Sequence, residues 1–146
     1  MSTITIRMAG PGDDALFARV AHDVFDHALQ PALIAEFLND QRHHIALALD
    51  GDLVVGMATA VHYIHPDQPA QLWINELGVA LTHQGHGIAK RLLRAVFDTG
   101  RAAGCVEAWV GTESGNATAR NVYKAVGGHE QEMVYITFDL ADDATR

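Results

Sequence analysis

Gln84-Gly85-His86-Gly87-Ile88-Ala89 lies between a strand-like run, Leu72-Trp73-Ile74-Asn75-Glu76-Leu77-Gly78-Val79, and a segment with helical periodicity. Two glycines at a strand-to-helix turn let the backbone approach a ligand closely, and the first turn of a helix leaves amides unpaired. Together they make a site for phosphate. Rival glycine loops fit less well. A dinucleotide fingerprint needs glycine where Lys90 stands, and a P-loop needs a Gly-Lys-Ser/Thr ending that is absent.

Working outward, the segment after the loop places Ile88, Leu92 and Val96 at four-residue spacing, with Leu93 and Phe97 beside them, which predicts an amphipathic helix. Gly104 ends it, and residues 105–110 read as a buried strand. Residues 112–116 form a loop into a last helix over 117–126, stopped by Gly127-Gly128, and residues 133–140 read as a final strand. Upstream, residues 3–8 alternate as a first strand. Asp13 then caps a helix carrying Leu16, Phe17, Val20 and Val24, and a second short helix follows Pro31. Ile45, Leu47 and Leu49 alternate up to Asp50-Gly51, and Leu53, Val55 and Met57 alternate after it, which predicts a hairpin. The expected architecture is α/β: one domain over residues 1–146, with a mixed, mostly antiparallel central sheet flanked by helices.

At 146 residues the chain can bury a real core, and no apolar run reaches the length of a membrane span. The amino terminus lacks a signal-peptide pattern. One cysteine, Cys105, excludes an internal disulfide framework and suits a reducing cytoplasm; it reads as a small core residue. The net charge of −8 argues against nucleic acid as a partner. Its distribution is uneven. Residues 1–80 carry ten acids and three bases, residues 81–128 three acids and six bases, and residues 129–146 five acids and Arg146. A basic segment around a phosphate loop suits an anionic cofactor, and acidic flanks suit a cationic acceptor.

The loop matches Gln/Arg-x-x-Gly-x-Gly/Ala, and a second motif, Asn116-x-x-Ala119-x-x-x-Tyr123-x-x-x-Gly127, follows in order. In both, the chain resembles the Gcn5-related N-acetyltransferases (GNAT), which hold the pyrophosphate of acetyl-CoA with the first pattern. The likeness spans nearly the whole chain, departing at Gly128, where the family usually has an aromatic residue. It implies that amides of Gly85, His86, Gly87, Ile88, Ala89 and Lys90 hold the pyrophosphate, with Gln84 shaping the loop. Backbone of Leu77, Gly78 and Val79 would pair with the pantetheine arm, and the Val79 amide would polarise the thioester carbonyl. Asn116 would bond that arm, Ala119 would share the contact helix, and Tyr123 would lie near the sulfur. Lys90, Arg91 or Arg120 would meet the remaining phosphate. The resemblance also admits a homodimer.

The residue types suit the chemistry. An ammonium acceptor must lose a proton before its nitrogen attacks a thioester, and Glu76, in the strand before the loop, is the candidate general base. Tyr123 is the candidate acid for the departing thiolate. Nine histidines include the pairs His43-His44, His62/His65 and His83/His86, but they lack zinc-site spacing, so no metal is expected. Residues 73–89 and the close Phe138-Asp139-Leu140 are most similar to type I aminoglycoside 3-N-acetyltransferases. An aminoglycoside carries several ammonium groups, and Asp23, Asp26, Glu113 and Asp139 are, with Glu76, the carboxylates that would meet them. A polyamine, a small amine metabolite or a protein amine is the rival acceptor. A non-catalytic acetyl-CoA-binding module is the rival of another class.

Overall fold

The Asp-Gly turn is where the sheet begins to close. β2 (His43–Asp50) and β3 (Leu53–Tyr63) pair antiparallel, Asp50 opposite Leu53, with Gly51 at a φ of 62° in the two-residue connection. Only a residue without Cβ adopts that conformation cheaply. The computed structural model describes residues 3–141. β1 (Ile4–Ala9) adds to β2, and β4 (Gln71–Val79) to β3, both antiparallel; β5 (Ala108–Val110) joins β4 in parallel. The result is one five-stranded sheet in chain order.

α2 (Ile88–Ala102) covers one face of this sheet, burying Ile88, Leu92, Leu93, Val96 and Gly100. The first four are positions that the helical spacing predicted; Phe97, also expected there, is half-buried, and Gly100 was not expected. Each fully buried Leu or Val contributes about 1.5–3 kcal/mol. A Cβ at Gly100 would stand 2.8 Å from Leu72 Cδ2, so this glycine lets helix and sheet touch. The other face is covered by α1 (Pro31–Asn39), whose Phe37 ring lies 5.5 Å from that of His43, and by buried Val24. α3 (Ala117–Ala125) follows β5 and packs beside α2.

Four expectations are corrected. The first helix is a single 3-10 turn, Asp14–Phe17. Beyond it, Val54 of β3 takes the backbone instead: its N–H donates to the Arg19 carbonyl and its carbonyl accepts from Ala21 N, each at 2.9 Å. Asp13 does not cap that turn; its carboxylate binds the Arg7 guanidinium and Gly10 N. The strand expected over 105–110 is regular only over Ala108–Val110; ahead of it Val106 N donates to the Ala70 carbonyl at 3.3 Å, and Cys105 N turns back to the Gly100 carbonyl at 2.9 Å. Cys105 is half-buried, and burial raises its thiol pKa. Finally, residues 133–140 form no strand in this chain, and their side chains are exposed.

Candidate active site

A bulge in β4 builds the cleft. Thr59 lies opposite Glu76 and Ala60 opposite Ile74, so Asn75 is an extra residue without a partner on β3. Such a bulge bends the strand. β5 pairs with β4 only from Leu72 to Ile74, and beyond that point the two strands have no pairing. The edge of β4 from Asn75 to Val79 is therefore open on the β5 side, with backbone groups available to an extended ligand.

At the foot of this edge stands the glycine loop. Gly85 has a φ of 80°, and Gly87, which caps α2, a φ of 77°. A Cβ at either would meet nothing within 4 Å, so the loop is shaped for something outside the chain. The first helical bond of α2 runs from Arg91 N to the Gly87 carbonyl. Among the described residues the amides of Gly85, His86, Gly87, Ile88, Ala89 and Lys90 donate no hydrogen bond, and no acid stands in the first turn. Six free donors at a helix start fit a pyrophosphate. Gln84 Nε2 donates to the Val79 carbonyl at 3.0 Å, tying loop to strand. His83, not assigned to the site from sequence, holds the turn before the loop by contacting Asp50 at 2.8 Å.

Asn116 starts α3, and its Oδ1 accepts from Ala119 N at 3.1 Å. That is an N-cap, a role its place before a helix makes legible. Its Nδ2 has no partner among the described residues. Tyr123 is half-buried, and burial raises its phenol pKa, so it keeps its proton at neutral pH. Of the three bases expected at the remaining phosphate, two are engaged. The Arg91 guanidinium donates to the Ile4 carbonyl at 2.9 Å, and Arg120 pairs with Glu130 and the Ser114 carbonyl. Lys90 makes no ion pair among the described residues.

Register settles which side chains share the cleft. Along β3, Met57, Thr59, Val61 and Tyr63 point to one face, so their partners Gly78, Glu76, Trp73 and Gln71 do too. This is the face away from α2, since Gly56, on the other, meets Leu92. Glu76 is exposed there and unpaired among the described residues. Beside it, Thr59 Oγ1 is buried and has no hydrogen-bond partner among the described residues. Trp73 stacks edge-on against Trp109 with centroids 3.9 Å apart, and Trp109 Nε1 donates to the Tyr63 hydroxyl at 2.6 Å. This aromatic wall, with Thr59, was not anticipated from sequence. Alternation across a bulge is the signal that would have found it.

The acceptor carboxylates are scattered. Asp23 receives the Leu81 amide at 2.8 Å, which lowers its pKa and holds the turn before the loop. Asp26 and Glu113 are exposed, and Asp139 lies on the unpaired carboxy-terminal segment rather than on a strand, accepting from Ala141 N. His44 and His62 stack with ring nitrogens 2.8 Å apart. Among the described residues no three potential metal ligands gather. A groove of about 390 Å³ between α2 and α3, lined by Arg94, Phe97, Asp98, Arg101, Ala125 and Val126, lies on the α2 side of the sheet, away from Glu76.

The chain is 36% identical over 88 residues to streptothricin acetyltransferase of Streptomyces lavendulae, covering 60% of this chain and 44% of that protein. It thus spans less than half the length of that relative. The fold is similar to that of an aminoglycoside acetyltransferase from an uncultured soil metagenomic sample, solved in complex with sisomicin. There the TM-score is 0.83 at 18% identity, covering 94% of this chain and 96% of that one. Aminoglycoside N-acetyltransferase AAC(6')-Iy, solved in complex with CoA, gives a TM-score of 0.73 at 19% identity, covering 96% and 97%. No helix of the described residues is long and apolar enough to cross a membrane. The acetyltransferase (GNAT) family matches residues 14–127, most of the length, and the chain belongs to that family.

Proposed function

We propose that this chain is a cytoplasmic, single-domain N-acetyltransferase that uses acetyl-CoA to acetylate an amine of an aminoglycoside, the 3-amino group in our assignment. The observation that carries the reading is the run of six amides at residues 85–90 that donate no hydrogen bond among the described residues, set at the foot of an open strand edge with Glu76 on the adjoining face. Acetyl-CoA supplies an acetyl group activated as a thioester. The loop amides bind its pyrophosphate, with Lys90, which makes no ion pair among the described residues, beside them, and the β4 edge at Leu77, Gly78 and Val79 pairs with the amide-bearing arm. The Val79 amide is assigned to the thioester carbonyl.

Glu76 takes the proton from the acceptor ammonium, directly or through one water. Tyr123, protonated at neutral pH, holds the proton that the sulfur receives. Attack is direct, in a ternary complex. Cys105 adjoins Gly100 and Leu72 on the α2 side, with a raised thiol pKa, and is no relay for the acetyl group. The wall of Trp73, Trp109 and Tyr63 suits the apolar face of a sugar ring or its ammonium groups.

A free-thiol release assay with acetyl-CoA and a panel of gentamicin, kanamycin, apramycin, streptothricin, spermidine and a lysine peptide tests this. Turnover with an aminoglycoside supports the acceptor. Turnover with streptothricin alone favours the second reading, for which the 36% identity over 88 residues speaks. Spermidine or peptide turnover moves the acceptor to a polyamine or protein amine. Acetyl-CoA binding with no turnover anywhere points to a non-catalytic module.

A further inference from the structure

A chain of polar side chains runs out from the aromatic wall and has no part in the transfer step. Trp109 Nε1 donates to the Tyr63 hydroxyl at 2.6 Å, that hydroxyl donates to Gln71 Oε1 at 3.0 Å, and Gln71 Nε2 donates to Glu107 Oε1 at 3.2 Å. His65 Nε2 lies 3.3 Å from the same Gln71 oxygen, and its ring meets that of Tyr63 edge-on at 5.1 Å. The two ends of the chain set the direction of every proton in it. An indole N–H can only donate, and a carboxylate can only accept. Glu107 therefore turns the Gln71 amide so that nitrogen faces the carboxylate and oxygen faces Tyr63; the flipped amide would set two acceptors against each other.

What the chain offers outward is then mostly acceptors. The Gln71 oxygen takes protons from Tyr63 and from His65 Nε2, which uses both its lone pairs. The Tyr63 oxygen has given its proton to Gln71 and received one from Trp109, so it keeps a lone pair and no proton to donate. Glu107 makes no ion pair among the described residues, so its carboxylate has no base to match it. One Gln71 N–H is the single donor left over. Such a surface reads a donor, and the indole of Trp109, 36% exposed beside it, attracts a cation. Its distance from the reacting end is fixed by the sheet. Tyr63 stands four residues beyond Thr59 on β3, and Thr59 faces Glu76. At about 3.3 Å per residue the two ends of this face are roughly 13 Å apart. Between them lie Val61 and Trp73, apolar and half-buried.

We propose that Tyr63 and Glu107, framed by Trp73 and Trp109, form a second cation subsite, which holds an ammonium of the acceptor roughly 13 Å from the amine at Glu76. The acceptor is thus an elongated molecule with an ammonium at each end, and a short amine fills only the end that reacts. The Tyr63 oxygen and the Glu107 carboxylate each accept one N–H of the remote ammonium, and the apolar stretch between the ends carries the body of the molecule. Which end reacts rests on the reading of Glu76 as base; the subsite itself rests on the hydrogen-bond chain.

Trp73 and Trp109 are the two tryptophans of the chain, so intrinsic fluorescence reports this subsite without any turnover. The full chain is titrated with diaminopropane, diaminohexane and diaminodecane, and with aminodecanol, which matches the longest in length but carries a single charge. Diaminodecane should shift the emission saturably and bind about tenfold tighter than diaminopropane or aminodecanol, the worth of one hydrogen-bonded charge. Glu107→Gln and Tyr63→Phe should each erase that advantage with far-UV circular dichroism unchanged. Equal affinity across the series, or an advantage that survives Glu107→Gln, overturns the subsite. Glu76→Gln separates the two readings. An advantage lost with Glu107 but kept with Glu76 supports the subsite and removes Glu76 from the reacting end. In acetyl transfer to diaminodecane, Glu107→Gln should raise KM with kcat within about twofold; a fall in kcat at constant KM overturns a binding role.

Discussion

Thr59 and Glu76 face each other across the β3–β4 ladder, and Thr59 Oγ1 is buried without a hydrogen-bond partner among the described residues. A buried hydroxyl left unpaired costs about 1–3 kcal/mol. A site that keeps such a group next to a candidate base has a use for it: to hold the base or the water beside it. Thr59→Val keeps the shape and removes the hydroxyl. Stability by chemical denaturation should stay level or rise, while kcat falls about tenfold, the worth of one hydrogen bond to a charged group. Thr59→Ser should retain turnover. Unchanged kcat in Thr59→Val would leave the hydroxyl without a role.

Glu76→Gln preserves size and removes the base. Loss of a positioned base costs about 10²–10⁴-fold in rate, so kcat should drop by that order while the Kd for acetyl-CoA, by calorimetry, stays within about twofold. Turnover at the wild-type rate would remove Glu76 as base.

Two glycines of the cleft should fail in opposite ways. At Gly78 a Cβ would stand 2.5 Å from the Val24 carbonyl oxygen, backbone that cannot yield. Gly78→Ala should therefore cost about 1–3 kcal/mol of stability. At Gly87 a Cβ meets no protein atom, but φ is +77°. Gly87→Val should cost about 1–2 kcal/mol through backbone strain and lose acetyl-CoA binding, because the branched side chain occupies the space that the free amides face. Tight binding by Gly87→Val would contradict the assignment of the loop.

Glu130 should titrate far from an ordinary carboxylate. Hydrogen bonds from Arg120 and then Lys124 hold its pKa at about 2, against 4.5 for the free group. The folded value is the lower one, so its stabilising contribution is complete above 4.5 and disappears as pH falls from there through about 2. The side chain stays open to solvent, which keeps that contribution small. Carbon-13 NMR of the carboxyl should show the low midpoint, and Arg120→Ala should move it upward. A midpoint near 4.5 in the wild type would deny the clamp of Arg120 and Lys124 on Glu130.

Much of the fold was legible because its signals are local. The Asp50-Gly51 turn, the spacing of Ile88, Leu92 and Val96, and Pro31 at a helix start each fix an element from a few neighbouring residues. What escaped depends on distant partners. Leu16, Phe17, Val20 and Val24 have helical spacing, yet Val54, thirty-odd positions away, claims the backbone at Arg19 and Ala21. The alternation of residues 133–140 reads as a strand, but a strand is made by pairing and this segment pairs with none of the described strands. The glycine loop and Glu76 stood out as residue types in an unusual setting. Thr59, Trp73 and Trp109 did not, because their common face follows from an extra residue that only pairing reveals.

That extra residue, Asn75, acts as a phase shifter. Trp73 and Glu76 are three apart, an odd count that would put them on opposite sides of a regular strand, yet both face the cleft. Were the bulge flattened with every residue kept, the strand would go out of step with itself. With the Trp73 end held, the carboxylate would turn into the apolar layer under α2, and Leu77 would take its place in the cleft. The chemistry of the site thus hangs on a count as much as on a composition. β4 can exchange many side chains for others of like size, but it cannot exchange its bulge for a regular pleat of the same length.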